Sequence, residues 1–284
     1  MSDEEFYLLD LKSRFDKIKP NTYYLSYSGG KDSHFLYWFI KEYLKRDDIK
    51  IVGINTYMEH HEILDRINKN CDIVLRPKLK PFEIKDKYGI PCFSKEQDFF
   101  IYYYQNAKRK GKEPSKTIMQ KIMGTYDKGF SGISKKARDY ILSPNAHAIT
   151  HLCCHYLKKE PARRFEKETG LKPILGIRSN ESILRKRQYK SCFTKDKKFT
   201  PIHDLSDELL EKIIKKYNIE VPSVYEHIQR TGCMGCPYGS YKGDTQKELI
   251  LLNDNQRKFV IDLFKDSYNV LGIDYDKQLT IDDF

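Results

Sequence analysis

The sequence predicts an α/β protein: a doubly wound parallel sheet with a helical insertion and a C-terminal cysteine-containing subdomain. Three observations predict it. Strand-like and helix-like segments alternate over residues 22–76. A glycine loop, Ser28-Gly29-Gly30-Lys31-Asp32-Ser33, joins the first strand to the helix behind it. The alternation breaks over residues 81–145 and resumes near residue 155.

Residues 2–20 read as an amphipathic helix with Phe6, Leu8, Leu9, Leu11, Phe15 and Ile18 as its apolar positions, ended by Pro20. A strand at 22–28 and a helix at 32–46 follow, then a β-branched strand at 49–57, a helix at 59–69 and a third strand at 72–76. The insertion carries helices at 95–107, 115–124 and 134–142, with a glycine-containing segment at 124–132. Its basic stretch, Lys108 to Pro114, reads as a solvated loop or as a lid, nucleic-acid or partner surface. A helix at 155–169 ends at Gly170, a glycine stop. A short buried strand follows at 174–177. Ser206 caps a helix at 206–217, a final helix spans 245–265, and the tail 274–284 is acidic. The expected divisions are 1–80 (nucleotide-binding half), 81–145 (insertion), 146–240 (remainder, with the cysteines) and 241–284 (C-terminal helix and tail).

Composition excludes several classes. With 284 residues and 39% hydrophobic content the chain can bury a real core and is not a disordered segment. Its longest apolar runs are too short to span a bilayer, and the acidic start (Asp3, Glu4, Glu5) does not fit a signal peptide. A cytoplasmic protein is expected. The net charge of +11 suits a polyanionic partner such as tRNA or DNA, and equally a lysine-rich solvated surface.

The loop at 28–33 offers consecutive backbone N–H groups, two glycines that allow close approach, a lysine and a helix N-terminus. Those are the parts of a phosphate cradle. It is not a Walker loop, whose glycines are spaced more widely. Ser-Gly-Gly-Lys-Asp-Ser resembles the PP-loop of the ATP pyrophosphatase family. That resemblance implies ATP cleavage between the α and β phosphates with adenylation of a substrate.

The seven cysteines are 71, 92, 153, 154, 192, 233 and 236. An odd number in a cytoplasmic chain argues against a disulfide framework, and their clustering in the second half suggests ligation. Cys233-Met234-Gly235-Cys236 alone leaves redox, zinc and iron–sulfur roles open. Cys153-Cys154 brings the count to four thiolates, enough for a tetrahedral zinc or a four-iron cluster. Cys71 and Cys92 read as packing residues. The run Cys153-Cys154…Lys158…Pro161 resembles the iron–sulfur adenylylsulfate reductases, and so do the later Cys-x-x-Cys and the Gly176-Ile177-Arg178…Ser182…Arg185 stretch. The chain is thereby similar to the phosphoadenosine-phosphosulfate reductase group of PP-loop enzymes over about residues 22–76 and 150–240.

The resemblance implies an adenine nucleotide alpha hydrolase-like, Rossmann-like fold. It also implies ATP and Mg²⁺ at the loop and a 4Fe-4S cluster on Cys153, Cys154, Cys233 and Cys236, with zinc as the alternative metal and Cys192 as an alternative ligand. Gly29 and Gly30 would cradle phosphates, Ser28 and Ser33 would add hydrogen bonds, and Lys31 would neutralise charge at the α-phosphate. Asp32 would hold Mg²⁺ or cap the helix. Thr56 and Glu59 would lie near the adenosine. Arg178, Arg185 and Lys158 would grip phosphate. One departure matters: no cysteine follows Cys236, so the C-terminal thiol of the sulfonucleotide reductases is missing. The resemblance then points to an adenylating sulfurtransferase. A reductase using an external thiol and a non-catalytic nucleotide-binding subunit of a nucleic-acid complex are the alternatives. A nucleic acid, a sulfur-donor protein and a second copy of the chain are the partners this reading allows; a membrane is not.

Overall fold

The computed structural model describes residues 1–127, 132–181, 183–228, 232–242 and 244–276. In chain order the elements are α1 (Asp3–Phe15), β1 (Tyr23–Tyr27), α2 (Lys31–Trp38) with a π-helical continuation Phe39–Tyr43, β2 (Lys50–Ile54), α3 (His61–Asn70), β3 (Ile73–Leu75), α4 (Pro81–Tyr88), α5 (Lys95–Arg109), α6 (Lys116–Met123), α7 (Lys135–Ile141), a π-helical stretch His155–Lys159, α8 (Glu160–Thr169), β4 (Lys172–Ile174), α9 (Ile183–Gln188), α10 (Asp207–Lys216), α11 (Asp244–Leu251) and α12 (Asp254–Leu271). They fall into two compact units. The first comprises Met1–Asn55, His61–Arg76 and Glu160–Ser223; the second comprises Thr56–His60, Pro77–Lys159 and Val224–Phe284.

The first unit holds the sheet. Its order is β3-β2-β1-β4, and every pairing is parallel. Leu25 of β1 pairs with Ile51 on one side and Ile174 on the other. β1 is thus central, and the strand order reverses between β1 and β4. That reversal is the topological switch point, where a crevice opens beyond the carboxyl ends of the strands. The central strand is apolar because helices cover it: Leu25, Phe35, Leu36, Phe39, Ile40 and Ile51 are all buried. Phe15 of α1 meets the rings of Phe39 and Phe199. A capping box fixes the start of α1, with Glu5 N–H donating to Ser2 Oγ and Ser2 N–H to the Glu5 carboxylate.

Several boundaries differ from expectation. The first helix ends at Phe15, four residues before Lys19-Pro20, because Asp16 N–H already closes the last turn. β2 stops at Ile54; Asn55 N–H still donates to Leu75 O, and Tyr57 then turns with a left-handed φ of 66°. The strand expected at 174–177 is β4 at Lys172–Ile174, paired to Tyr23–Leu25. Gly176 lies beyond it, against the backbone of Asp32 and Ser33.

The second unit is helical. Met58, Ile84, Leu157, Met234, Val260 and Phe264 belong to one buried cluster, and Cys92, Ile101, Ile122 and Ile149 to another. The three helices expected in the insertion are present as α5, α6 and α7, each N-capped by a serine: Ser94, Ser115 and Ser134. α4 precedes them, with Pro81 as its first residue. The single helix expected at 245–265 is two, α11 and α12, because Asn253 breaks the run and caps α12 by accepting from Gln256 N–H. The acidic tail lies outside the described residues from 277 on, as do residues 128–131 of the glycine-containing segment. Among the described residues no helix is long and apolar enough to cross a membrane.

Candidate functional site

β1 delivers the chain to the glycine loop at the switch point, and α2 starts at Lys31. Gly29 has φ 76°, and a Cβ there would meet Ile63 Cγ2 at 2.9 Å and Ile63 O at 3.0 Å. Only glycine fits both the backbone and the space. Gly30 is the N-cap of α2 and supplies no side-chain bond to the helix's first N–H groups. A helix start of this kind can serve as an anion-binding end. The loop is closed on itself by Ser33, whose Oγ donates to Gly30 O (3.0 Å) and accepts from Ser28 N–H (3.2 Å). The Ser28 and Ser33 hydroxyls are 3.0 Å apart. Both serines thus shape the cradle as well as offering hydroxyls to it. Lys31 is half-buried on the first turn of α2.

Behind the loop, Arg178 is 3% exposed. Its Nε donates to Asp32 Oδ1 at 2.8 Å, and Nη1 lies 2.7 Å from Asp207 Oδ1. Arg178 therefore braces the Asp32 carboxylate, an arrangement the sequence did not suggest. Gly176 lets this segment approach: a Cβ would meet Asp32 C and Ser33 N at 3.1 Å. Arg185 lies on α9; Ser182 of the same stretch is outside the described residues. Under the loop, Tyr27 Oη pairs with His34 Nδ1 at 2.9 Å and accepts from Asn70 at 3.0 Å. Burial, then Arg66 and Lys69, push the His34 imidazole down to about 4, so it is neutral at pH 7.

The second unit gathers Cys153, Cys154, Cys233 and Cys236. Burial and the neighbouring Cys233 and Cys154 sulfurs hold the Cys153 and Cys236 thiols well above the ordinary range. All four cysteines are half-buried, and the Cys153 and Cys236 thiols are close enough to Cys154 and Cys233 to be affected by their charge. Lys158 enters the same place from the π-helical stretch. Cys233, then Glu59 and Cys154, hold its ammonium above the usual range against burial. Expected at phosphate, Lys158 stands among sulfurs. Among the described residues no three His, Cys, Asp or Glu side chains stand ready as a chelating group. Thr56 and Glu59, expected near adenosine, close a turn in this unit: Glu59 accepts from Thr56 N–H (2.9 Å) and Thr56 Oγ1 (2.5 Å). Cys192 has its own surroundings in the first unit, with Sγ 3.9 Å from His203 Nδ1. Cys71 and Cys92 are pushed up to about 12 by burial, as packing residues would be.

The Cys233–Cys236 knuckle is held on every side by groups that sequence reasoning missed. Gly235 has φ 61°; its N–H donates to Glu248 Oε2 at 2.9 Å, and its carbonyl accepts from Tyr268 Oη. Glu248 Oε1 is 2.6 Å from His60 Nε2. Met234 N–H donates to Met58 O (2.7 Å) and Thr245 Oγ1 to Cys236 O (2.8 Å). Tyr238, two residues past Cys236, donates to Asp98 Oδ2 at 2.9 Å. Asp98 is fully buried on α5 and also accepts from Cys92 and Phe93 N–H.

Burial pushes Asp98 up to about 7, against the hydrogen bonds that lower it. Its folded value exceeds the unfolded one, so its stability contribution is complete below about pH 4 and is lost as the pH rises to about 7. Urea melts should show the wild type losing stability relative to Asp98→Asn across that window, by up to about 1.4 kcal/mol per pH unit. Parallel pH curves would refute the shift.

No protein-family profile matches the chain, and comparison with curated proteins gives no match. Among solved structures, the chain is similar to a phosphoadenylyl-sulfate reductase from Candida auris, at 13% identity and TM-score 0.46, over 80% of this chain and 87% of that one. It is also similar to an NH3-dependent NAD synthetase from Campylobacter jejuni, at 12% identity and TM-score 0.39, covering 98% and 96%. A third is the U34-tRNA thiolase NcsA of Methanococcus maripaludis, solved with its 4Fe-4S cluster, at 12% identity and TM-score 0.36, covering 97% and 82%. The α/β assignment rests on the parallel sheet of this chain itself.

Proposed function

We propose that the chain is an ATP-dependent adenylating enzyme, coupled to an iron–sulfur centre and serving sulfur transfer to a nucleic acid or a small substrate. The observation that carries this reading is the uncapped start of α2, behind a left-handed Gly29, at the switch point of the sheet. ATP phosphates would accept from the loop N–H groups while Lys31 offsets the charge that grows on the phosphoryl oxygens. Mg²⁺ favours hard oxygen ligands, and Asp32, oriented by Arg178, supplies one. A substrate oxygen forms a bond to the α-phosphorus, and the bond from that phosphorus to the β-bridging oxygen breaks. Pyrophosphate leaves with the electron pair. A sulfur nucleophile then displaces AMP from the adenylated carbon.

Four half-buried thiols in one unit match an iron–sulfur cluster or zinc in donor type, although among the described residues their side chains are not drawn together as a chelating group. Cys153, Cys154, Cys233 and Cys236 would hold it, and a bound cluster would supply a redox-active, sulfur-binding surface. The Lys158 ammonium beside Cys233 offsets part of the negative charge that four thiolates bring.

ATP labelled at the α and γ positions, incubated with the protein and a pool of tRNA, DNA and small acceptors, should yield AMP and pyrophosphate. ADP and inorganic phosphate would overturn the reading. Anaerobically purified protein should carry iron and acid-labile sulfide and a broad visible absorption, lost in Cys233→Ser. Zinc without sulfide would sink the iron–sulfur half and leave the adenylating half standing.

A further inference from the structure

The first unit carries a second concavity. It has a volume of about 470 Å³ and lies at the amino-terminal edge of the sheet, lined by residues that include Lys17, Lys19, Tyr23, Lys172 and Lys197. Tyr23 opens β1, Lys172 opens β4, and the glycine loop leaves β1 past Tyr27. Four residue steps of strand, roughly 13 Å, separate the two ends of β1, so this concavity is distinct from the loop.

Its lining contains four lysines and no carboxylate. A carboxylate beside it, Asp48, accepts from Asn21 N–H but is committed to Arg46 through contacts of 2.5 and 2.7 Å. Among the described residues none of the four lysines takes part in an ion pair, although surface lysines elsewhere do, as Lys216 does with Glu5. The backbones of Asn21 and Lys197 are both left-handed, with φ of 58° and 60°, a conformation that costs energy for residues other than glycine. The fold thus lines a hollow with four lysines that form no ion pair among the described residues. Lysines are point charges on flexible stems, suited to tracking several phosphates rather than to forked recognition of one group. The lining offers one aromatic ring, Tyr23, whose hydroxyl donates to Lys197 O. A single nucleotide would need a closed slot for its base; a phosphate backbone needs only spaced cations.

We propose that this lysine-lined edge is a docking surface for the phosphate backbone of a nucleic acid. It deepens the reading of the chain as acting on nucleic acid, but it does not depend on adenylation, because it uses none of the loop residues. The basic stretch around Lys108–Lys112, prominent in the sequence, is a different surface: Lys108 there is paired with Glu113.

The test is fluorescence anisotropy of a labelled tRNA and a labelled 20-base-pair DNA duplex, titrated with full-length protein at several salt concentrations. The variant Lys17→Gln/Lys19→Gln/Lys172→Gln/Lys197→Gln should bind the preferred probe at least about tenfold more weakly near physiological salt. The slope of log affinity against log salt should become shallower by roughly 3, since each lost phosphate contact removes about 0.7–0.9. The four-arginine variant should retain both, and Lys108→Gln/Lys110→Gln/Lys112→Gln should behave as wild type. Thermal melting checks folding, and the pairs Lys17→Gln/Lys19→Gln and Lys172→Gln/Lys197→Gln serve if the fourfold variant melts early. Unchanged affinity and slope would overturn the proposal. So would the absence of wild-type binding to either probe, or binding to phosphatidylserine vesicles alone. ATP affinity of the fourfold variant should match wild type, so this surface and the adenylating site fail or stand separately.

Discussion

Lys31→Ala is expected to lower ATP-dependent pyrophosphate release about 10²–10³-fold, the usual cost of removing one preorganised group that stabilises developing charge. The position explains the size of the effect. Lys31 is the first residue of α2, directly after an N-cap glycine that contributes no side-chain bond. Its side chain therefore starts from the same end of the helix as the first N–H donors. The residue is half-buried and lies outside the apolar core, so the variant should melt with the wild type. A folded Lys31→Ala protein that releases pyrophosphate normally would refute the assignment of the loop. Loss of release together with retained ATP binding would place the lysine's effect in the transition state.

Glu248→Ala should destabilise the protein by about 3 kcal/mol, a fall of several degrees in melting temperature for a chain of this size. Glu248 is 6% exposed, and its two oxygens are each used once, by Gly235 N–H and by His60. Truncation leaves both partners buried without their acceptor. Gly235 sits inside the Cys233–Cys236 knuckle with a left-handed backbone, and a Cβ there would meet Tyr268 Oη at 2.6 Å. The knuckle has no simple way to collapse onto the gap. The variant should therefore also retain less metal after anaerobic purification. Melting and metal content equal to the wild type would show that the knuckle is held elsewhere.

The elements that were legible in the sequence are those written in local signals. The Tyr23–Tyr27 strand, the glycine loop, the serine cap of α10, and the β-branched run of β2 all follow from residues a few positions apart. Cys153, Cys154, Cys233 and Cys236, the set implied by the resemblance, all belong to the second unit. What escaped was set by distant partners. Asp98 reads as an ordinary first-turn acid of α5, and nothing nearby announces Tyr238, 140 residues away. Arg178 reads as a phosphate ligand until Asp32 is found 2.8 Å from it. Lys158 was read by its charge, whereas its place among sulfurs depends on Cys233 and Glu59. The end of β4 was misplaced because Gly176 and Ile177 look strand-like, yet register against β1 ends at Ile174. Asn253 was missed as a cap because the apolar pattern runs on through it.

The chain passes from one compact unit to the other after residues 55, 60, 76, 159 and 223. During synthesis the central strand of the sheet emerges early, but its neighbour β4 and the helix that supplies Asp207 are encoded beyond residue 170. The glycine loop cannot acquire its Arg178 brace until more than half the protein has left the ribosome. Such late closure of sequence-distant contacts slows folding and prolongs exposure of the apolar β1 and β2. It also means that the second unit cannot be produced by simple truncation, because its segments are separated in the chain by those of the first.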